Sequence, residues 1–162
     1  MDGLRPERRG PVIAKHAAGI DKGQRDDPRS SRSADGAAGG RENAEQRNAP
    51  SAIAVVDPAG DLLAFQRMDD VRPASVDLAI EKARTAARLQ RSTAEIEDNI
   101  NQGRTAFVTA GIPVLRGGMP IRINGAVVGA VGIAGLSKET DAEIANTAAA
   151  ALSPSPMTGQ RR

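Results

Sequence analysis

The stretch Gly117–Gly135 reads GGMPIRINGAVVGAVGIAG and predicts a β-hairpin. Two apolar runs, Met119–Ile123 and Ala126–Ala134, flank the dipeptide Asn124-Gly125. Asn and Gly tolerate the positive φ angles that a two-residue hairpin turn requires, so this dipeptide marks the turn. It is the strongest local signal in the sequence, and the rest of the fold is placed around it.

The second apolar run has two unequal faces, because side chains alternate along a strand. Val127, Gly129, Val131 and Ile133 share one face, and Val128, Ala130, Gly132 and Ala134 share the other. The second face carries mostly Gly and Ala and is nearly flat. We expect a helix or a second subunit to approach this flat face closely.

The composition excludes disulfides and the usual metal sites. The 162 residues include no Cys and one His, so thiolate ligands, thiol nucleophiles and His-rich metal sites are excluded. We identify no catalytic and no metal-binding residues. The chain also has no Trp, no Tyr and only two Phe, so the core must consist of Ala, Val, Ile and Leu.

The charge and the hydropathy pattern argue against nucleic acid and membranes as partners. Lys and Arg number 22 and Asp and Glu number 20, which gives a net charge of +2 and no strong field for nucleic acid. No window of about 18 apolar residues is present for a membrane span. The N-terminus lacks the apolar core of a secretory signal, and we therefore predict a cytoplasmic protein.

Order is predicted to begin near residue 51. Residues 1–50 are rich in Arg, Asp, Gly, Ser and Pro and carry few branched apolar side chains. Such a segment buries too little surface to offset its ordering entropy, so we predict that it is disordered or loosely attached. The folded domain is assigned to residues 51–153 and a tail to residues 154–162. The single histidine, His16, is then a solvated residue.

A first hairpin is predicted at the start of the domain. The apolar runs Ala52–Val56 and Leu62–Phe65 flank the sequence DPAG at 57–60, which suits a type I turn. An irregular segment is predicted over residues 107–115, because Gly and Pro interrupt its apolar residues.

Three helices are predicted from apolar positions at helical spacing. The first covers residues 75–89, with Ser75 as its N-cap. The second begins at Ser92, where STAE matches a capping box. The third follows the long hairpin, with Ser137 and Thr140 as alternative caps and TDAE as a second capping box.

The loop Arg116-Gly117-Gly118 is a candidate anion site. Its two glycines expose backbone N–H groups beside a guanidinium, which is one way to hold a small carboxylate. A plain loop that leads into the hairpin explains the same residues.

Four segments resemble the GlcG/HbpS family of haem-degrading or haem-binding proteins. They are VVDPAGDLLAFQRMDD at Val55–Asp70, VDLAIEKARTAA at Val76–Ala87, GGMPIRINGAVVGAVGIAG at Gly117–Gly135, and DAEIANTAAAAL at Asp141–Leu152. The segments occur in the right order. The resemblance implies an α+β, profilin-like domain in which an antiparallel sheet of two hairpins carries about three helices.

The resemblance also implies a ligand and a partner. Some members have a haem- or corrinoid-related ligand, and subunits assemble into dimers or larger rings. We therefore expect a homo-oligomer that binds haem or a related tetrapyrrole in a groove near Arg116–Met119. By residue type the axial ligand is His16, with Met68 and Met119 as the other choices. Members usually open with an amphipathic helix before the first strand, which Gly19–Asn48 is not predicted to supply.

Two other hypotheses of function stay open. Some members accompany glycolate or other catabolic operons, so the chain is alternatively an accessory enzyme of small-acid catabolism whose Arg116 loop holds a carboxylate. The third hypothesis is a structural subunit in which the flat Gly/Ala face mediates assembly.

Overall fold

One four-stranded antiparallel sheet forms the centre of the computed structural model, which describes residues 28–153. The strands are β1 Ala52–Val56, β2 Leu62–Arg67, β3 Gly118–Ile123 and β4 Ala126–Ala134. They lie in the order β2-β1-β4-β3, so the two predicted hairpins join into one sheet where β1 pairs with β4. The predicted α+β fold is confirmed.

Helices cover both faces of the sheet. They are α1 Pro28–Gln46, α2 Ala74–Leu89, α3 Thr93–Asn101, the single turn α4 Ala106–Thr109, and α5 Lys138–Leu152. α1 and α5 pack on the face that carries Ile53, Val131 and Ile133, and α2 packs on the opposite face. None of the described helices combines the length and the apolar content that crossing a membrane requires.

Both hairpin turns have the geometry that their sequences predict. Asn124 and Gly125 have φ angles of 51° and 83°, as a two-residue turn with both central residues in the left-handed region requires. In the first hairpin the Gly60 N–H donates to the Asp57 carbonyl oxygen at 3.0 Å, which closes the four-residue turn. Each turn fixes the register of its hairpin.

The flat face of β4 lies directly under α2. Ala130 and Ala134 are buried there. A Cβ atom at Gly132 would overlap the carbonyl oxygen of Ala79 and lie 2.6 Å from the nitrogen of Ala83. The predicted close approach of a helix is confirmed. Because α2 belongs to the same chain, this face is not available to a second subunit, and the assembly hypothesis built on it is wrong.

α1 overturns the prediction that the chain before residue 51 is disordered or loosely attached, as far as residues 28–46 are concerned. Residues 28–46 form this helix, which precedes the first strand and lies within the stretch Gly19–Asn48, where no such helix is predicted from the sequence. The predictions for residues 1–27, including His16, and for the C-terminal tail lie outside the described residues.

α1 packs through small residues. It therefore lacks the branched apolar residues at helical spacing from which a helix is predicted. Ala37 and Ala44 are buried, and a Cβ at Gly36 would overlap the side chain of Leu152. A Cβ at Gly40 would lie 3.1 Å from Ile53 Cγ2. The branched side chains of this contact belong to α5 and β1, so α1 needs none of its own.

The helix starts confirm Ser92 and Ser137 among the predicted caps and correct two details. Ser92 Oγ accepts the Glu95 N–H at 3.3 Å, as predicted for the cap of α3. Ser75 is not the cap of α2, because the helix begins one residue earlier and Ser75 is buried inside its first turn. In α5 the cap is Ser137, whose Oγ accepts the Thr140 N–H at 3.2 Å, so the second capping box is wrong.

We expect Gly132→Ala and Gly39→Ala to change stability in opposite directions. The new Cβ at Gly132 meets the backbone of α2, which should lower the free energy of unfolding by about 2 kcal/mol or more. Gly39 lies in α1 with no atom within 4 Å of a would-be Cβ, so Ala should raise stability by up to about 1 kcal/mol. Urea denaturation measures both changes. Wild-type stability of Gly132→Ala would contradict the close packing, and a large loss at Gly39 would contradict a helical α1.

Candidate functional site

The structure places Arg116 against carboxylates of its own chain. Its backbone N–H donates to Glu97 Oε2 at 2.9 Å, and its Nε donates to Glu97 Oε1 at 3.3 Å. The guanidinium also pairs with Asp98. The Gly118 N–H, which the sequence predicts to face a bound anion, donates to Thr93 Oγ1 at 2.8 Å. The loop does hold a carboxylate, but that carboxylate is the side chain of Glu97.

Gly117 and Gly118 are required by the space around this loop. Gly117 has a φ of 117°, and its carbonyl oxygen accepts the Ile133 N–H at 2.8 Å. A Cβ at Gly118 would overlap the carbonyl oxygen of Lys82 and lie 2.7 Å from Thr93 Cγ2. The two glycines therefore let the loop pack between the sheet and the helices.

Glu97 is the centre of a partly buried charge cluster. Its side chain is 13% exposed, and it accepts a hydrogen bond from Lys138 Nζ at 2.7 Å in addition to those from Arg116. Burial raises the pKa of Glu97, but the hydrogen bonds from Lys138 and the Arg116 N–H, with the charges of both residues, outweigh burial. The net pKa lies below the ordinary value of 4.5. The cluster ties α3 to the start of α5 and to the loop before β3.

We expect Glu97 to stabilise the fold at neutral pH and to lose this effect in acid. A pKa lowered in the folded state means that the free energy of unfolding falls as the pH drops from about 4.5 through the folded-state pKa. Glu97→Gln should cost about 1 kcal/mol at neutral pH and make the decline in acid shallower. Urea denaturation at a series of pH values measures this, with Glu42→Gln at an exposed carboxylate of α1 as the control. An acid decline as steep as that of the wild type would contradict the role of Glu97.

Lys82 and Asp141 form a buried ion pair between α2 and α5. Lys82 Nζ lies 2.8 Å from Asp141 Oδ2 and 2.8 Å from the Ile133 carbonyl oxygen, and the two side chains are 5% and 6% exposed. Asp141 Oδ1 also accepts the Gly135 N–H at 2.8 Å. Burial raises the pKa of Asp141, against the opposing effect of Lys82. Neither residue lines either cavity described below, and the contacts of the pair connect α2 and α5 to the end of β4.

We expect Lys82→Met to cost about 3–5 kcal/mol, because it leaves the Asp141 carboxylate buried without its cation. The double variant Lys82→Met/Asp141→Leu removes both charges and should recover most of that loss. The free energies of unfolding of Lys82→Met, Asp141→Leu and the double variant complete a double-mutant cycle. Strictly additive losses would show that the two charges do not interact.

The larger cavity lies between the C-terminal end of α5, the start of α3 and β3, and its volume is about 570 Å³. We call it the helix-end cleft. Met119 lines it, whereas the loop at 116–118 does not, so the structure does not bring the four predicted binding residues together. The arginines of the cleft are engaged: Arg91 pairs with a glutamate of α3 at 3.4 Å, and Arg122 donates to the Gln90 carbonyl oxygen at 2.6 Å.

A second cavity, of about 320 Å³, lies at the end of the sheet between the start of α1 and the end of α5. We call it the sheet-end groove. Its apolar wall comes from all four strands, the first turn and α5: Val55, Val56, Pro58, Leu63, Ile121, Ile123, Val128 and Leu152. Its polar lining residues are Arg32, Ser33 and Asp57. An apolar wall with a few polar groups is typical of sites for small organic ligands.

The sequence analysis did not find the sheet-end groove, although a signal for it was present. Leu63 and Val128 are 43% and 38% exposed despite their apolar side chains. Each belongs to a pair of adjacent branched residues, Leu62-Leu63 and Val127-Val128, and two neighbours in a strand cannot both face the same core. The pairs signal only that one member of each faces away from the core, and in the structure Leu63 and Val128 are the residues skipped where the strand register shifts.

Most of the chain matches a known protein family. Residues 34–150 match the model of the family described as haem-degrading protein HbpS-like. The chain belongs to the HbpS-like family. The resemblance of the four sequence segments is thereby confirmed, and the match includes most of α1, which the sequence analysis left outside the domain.

Several relatives of this HbpS-like protein are known in sequence or structure. Protein GlcG of Escherichia coli (strain K12) is 47% identical over 97 residues, which are 59% of this chain and 72% of GlcG. The crystal structure of a double mutant of Streptomyces reticuli HbpS has a TM-score of 0.71 at 31% identity, over 90% of this chain and 99% of that chain. The crystal structure of the PduOC:heme complex has a TM-score of 0.66 at 28% identity, over 77% and 93% of the two chains.

Proposed function

We propose that this HbpS-like protein binds haem or a related tetrapyrrole in the sheet-end groove. The observation that carries the proposal is the wall of the groove, in which eight of eleven lining residues are apolar. A flat macrocycle buries its faces against such a wall, and the apolar surface removed from water contributes about 25 cal/mol per Å². With a volume of about 320 Å³, the groove accommodates one edge of the macrocycle and leaves the opposite edge accessible.

The relatives support a ligand of the haem class. PduOC has been crystallised in a complex with heme, and the family is described as haem-degrading. Those statements concern the relatives, and here they favour a porphyrin over other flat apolar molecules. Of the residues first expected to form the site, Arg116 is held by its own chain and Met119 lines a more polar cleft, so the sheet-end groove is the better candidate.

A haem iron also requires an axial ligand. Haem supplies redox and ligand-binding chemistry through its iron when it is bound. No described residue that lines the groove is a His, Met, Cys or Tyr, so the groove fits the macrocycle and offers the iron no side chain of the usual kinds. Met119 lies in the other cleft, and Met68 Sδ accepts the Ser51 N–H at 3.4 Å. We therefore propose His16, which lies outside the described residues, as the axial ligand.

The small-acid alternative has weaker support. An enzyme or binding protein of that kind needs Arg116 to exchange Glu97 and Asp98 for the carboxylate of its substrate. No observation on the loop favours that exchange. A homo-oligomer and a cytoplasmic location stay predictions from the resemblance and from the sequence.

Haemin titration followed at the Soret band tests the sheet-end groove. Val128→Asp places a carboxylate on the apolar wall, and we expect it to weaken haemin binding about tenfold or more. Val128 is 38% exposed, so the fold should tolerate the change. Leu136→Asp is the matched control, since Leu136 is 69% exposed and does not line the groove.

The two Asp variants and a His16→Ala variant separate the parts of the proposal. Wild-type affinity in Leu136→Asp with weak binding in Val128→Asp supports the groove, and equal affinities would contradict it. A shifted Soret band in His16→Ala supports His16 as the axial ligand. An unchanged band would exclude His16 and leave the groove standing.

A further inference from the structure

Arg32 is a cation at the edge of the sheet-end groove. It lies in the second turn of α1, it is exposed, and it lines the groove. Within the part of the chain that the structure describes, its guanidinium makes no hydrogen bond and no ion pair. Arg41, on the same helix, instead pairs with Glu45 at 2.8 Å. Arg32 therefore has no committed partner among the described residues and can engage a group that they do not provide.

Asp57, the acidic residue that lines the groove, does not pair with Arg32. Asp57 Oδ1 accepts the Asp61 N–H at 2.9 Å, which ties the carboxylate to the turn after β1. No ion pair joins Asp57 to Arg32. The other lining residues, apart from Ser33, are apolar, so Arg32 is the only lining group with an uncommitted positive charge.

We propose that Arg32 makes the sheet-end groove selective for tetrapyrroles that carry a free carboxylate. This inference rests on the proposed function and adds to it the group of the ligand that is recognised. A guanidinium donates two parallel hydrogen bonds to a carboxylate, a geometry that an ester cannot match because it carries no charge. Beside an apolar wall that excludes part of the water, the attraction is stronger than between fully solvated charges.

The arrangement also sets the orientation of the ligand. The macrocycle lies against the side chains of the strands, and its acidic edge points to the start of α1. The iron takes no part in this recognition, because the contact is made at the periphery of the ring. An iron-free porphyrin should therefore show the same preference for a free carboxylate. Because it contains no iron, its binding does not depend on an axial ligand.

The test compares protoporphyrin IX with its dimethyl ester, in one detergent-containing buffer, by fluorescence titration. We expect wild-type protein to bind the free acid about tenfold more tightly than the ester. Arg32→Ala should bind the two porphyrins equally, and Arg32→Lys should retain part of the preference. Arg41→Ala removes a paired arginine of the same helix and should keep the wild-type ratio. Added salt should reduce the preference of the wild type.

Each outcome decides between the two proposals. If the wild type binds neither porphyrin, both the proposed function and the role of Arg32 are overturned. If the wild type binds acid and ester equally, the groove stands and the selection by Arg32 is overturned. A preference that persists in Arg32→Ala with unchanged circular dichroism also overturns it, and loss of the preference in Arg41→Ala would assign it to general charge instead.

Discussion

The fold depends on the small residues that let α2 lie directly on β4. With Gly132 beneath Ala79 and Ala83, the helix comes close enough for Lys82 to reach both the Ile133 carbonyl oxygen and the Asp141 carboxylate. One side chain thus connects a helix, a strand and a second helix at a point from which water is excluded. A thicker face on β4 would move the helix outward and separate two charges that neither the protein interior nor water then compensates.

The two candidate ligand sites lie at opposite ends of β3. The Arg116 loop lies at the start of β3 and the sheet-end groove at its end, about 17 Å apart for a strand of this length. At the start, the charged side chains find partners within the chain, so another anion would have to displace Glu97 and Asp98 from Arg116. At the end, apolar side chains and Arg32 line a groove in which Arg32 has no partner among the described residues. What distinguishes a structural cluster from a candidate site here is whether the chain itself supplies the partner.

The sequence was sufficient where one local rule decides the structure. Asn124-Gly125 fixed the long hairpin, Ser92 the start of α3, and the Gly/Ala face of β4 the approach of α2, because each depends on residues close together in the chain. α1 was missed since its contacts depend on branched side chains supplied by distant elements. The groove was missed for the same reason, as its wall combines all four strands with both ends of the described chain. The Arg116 loop has the residues of an anion site, and only the tertiary structure shows that Glu97 already occupies it.

α1 owes its helical form to its surroundings. Three glycines within residues 36–40 give it a low intrinsic helix propensity, so it is stable mainly because it packs on α5 and β1. Arg32 and Ser33 belong to this helix and also line the groove. A molecule that contacts these residues binds more tightly when α1 is docked, and by thermodynamic linkage it raises the free energy needed to detach the helix. Local unfolding of the first helix and occupancy of the groove are therefore two coupled equilibria.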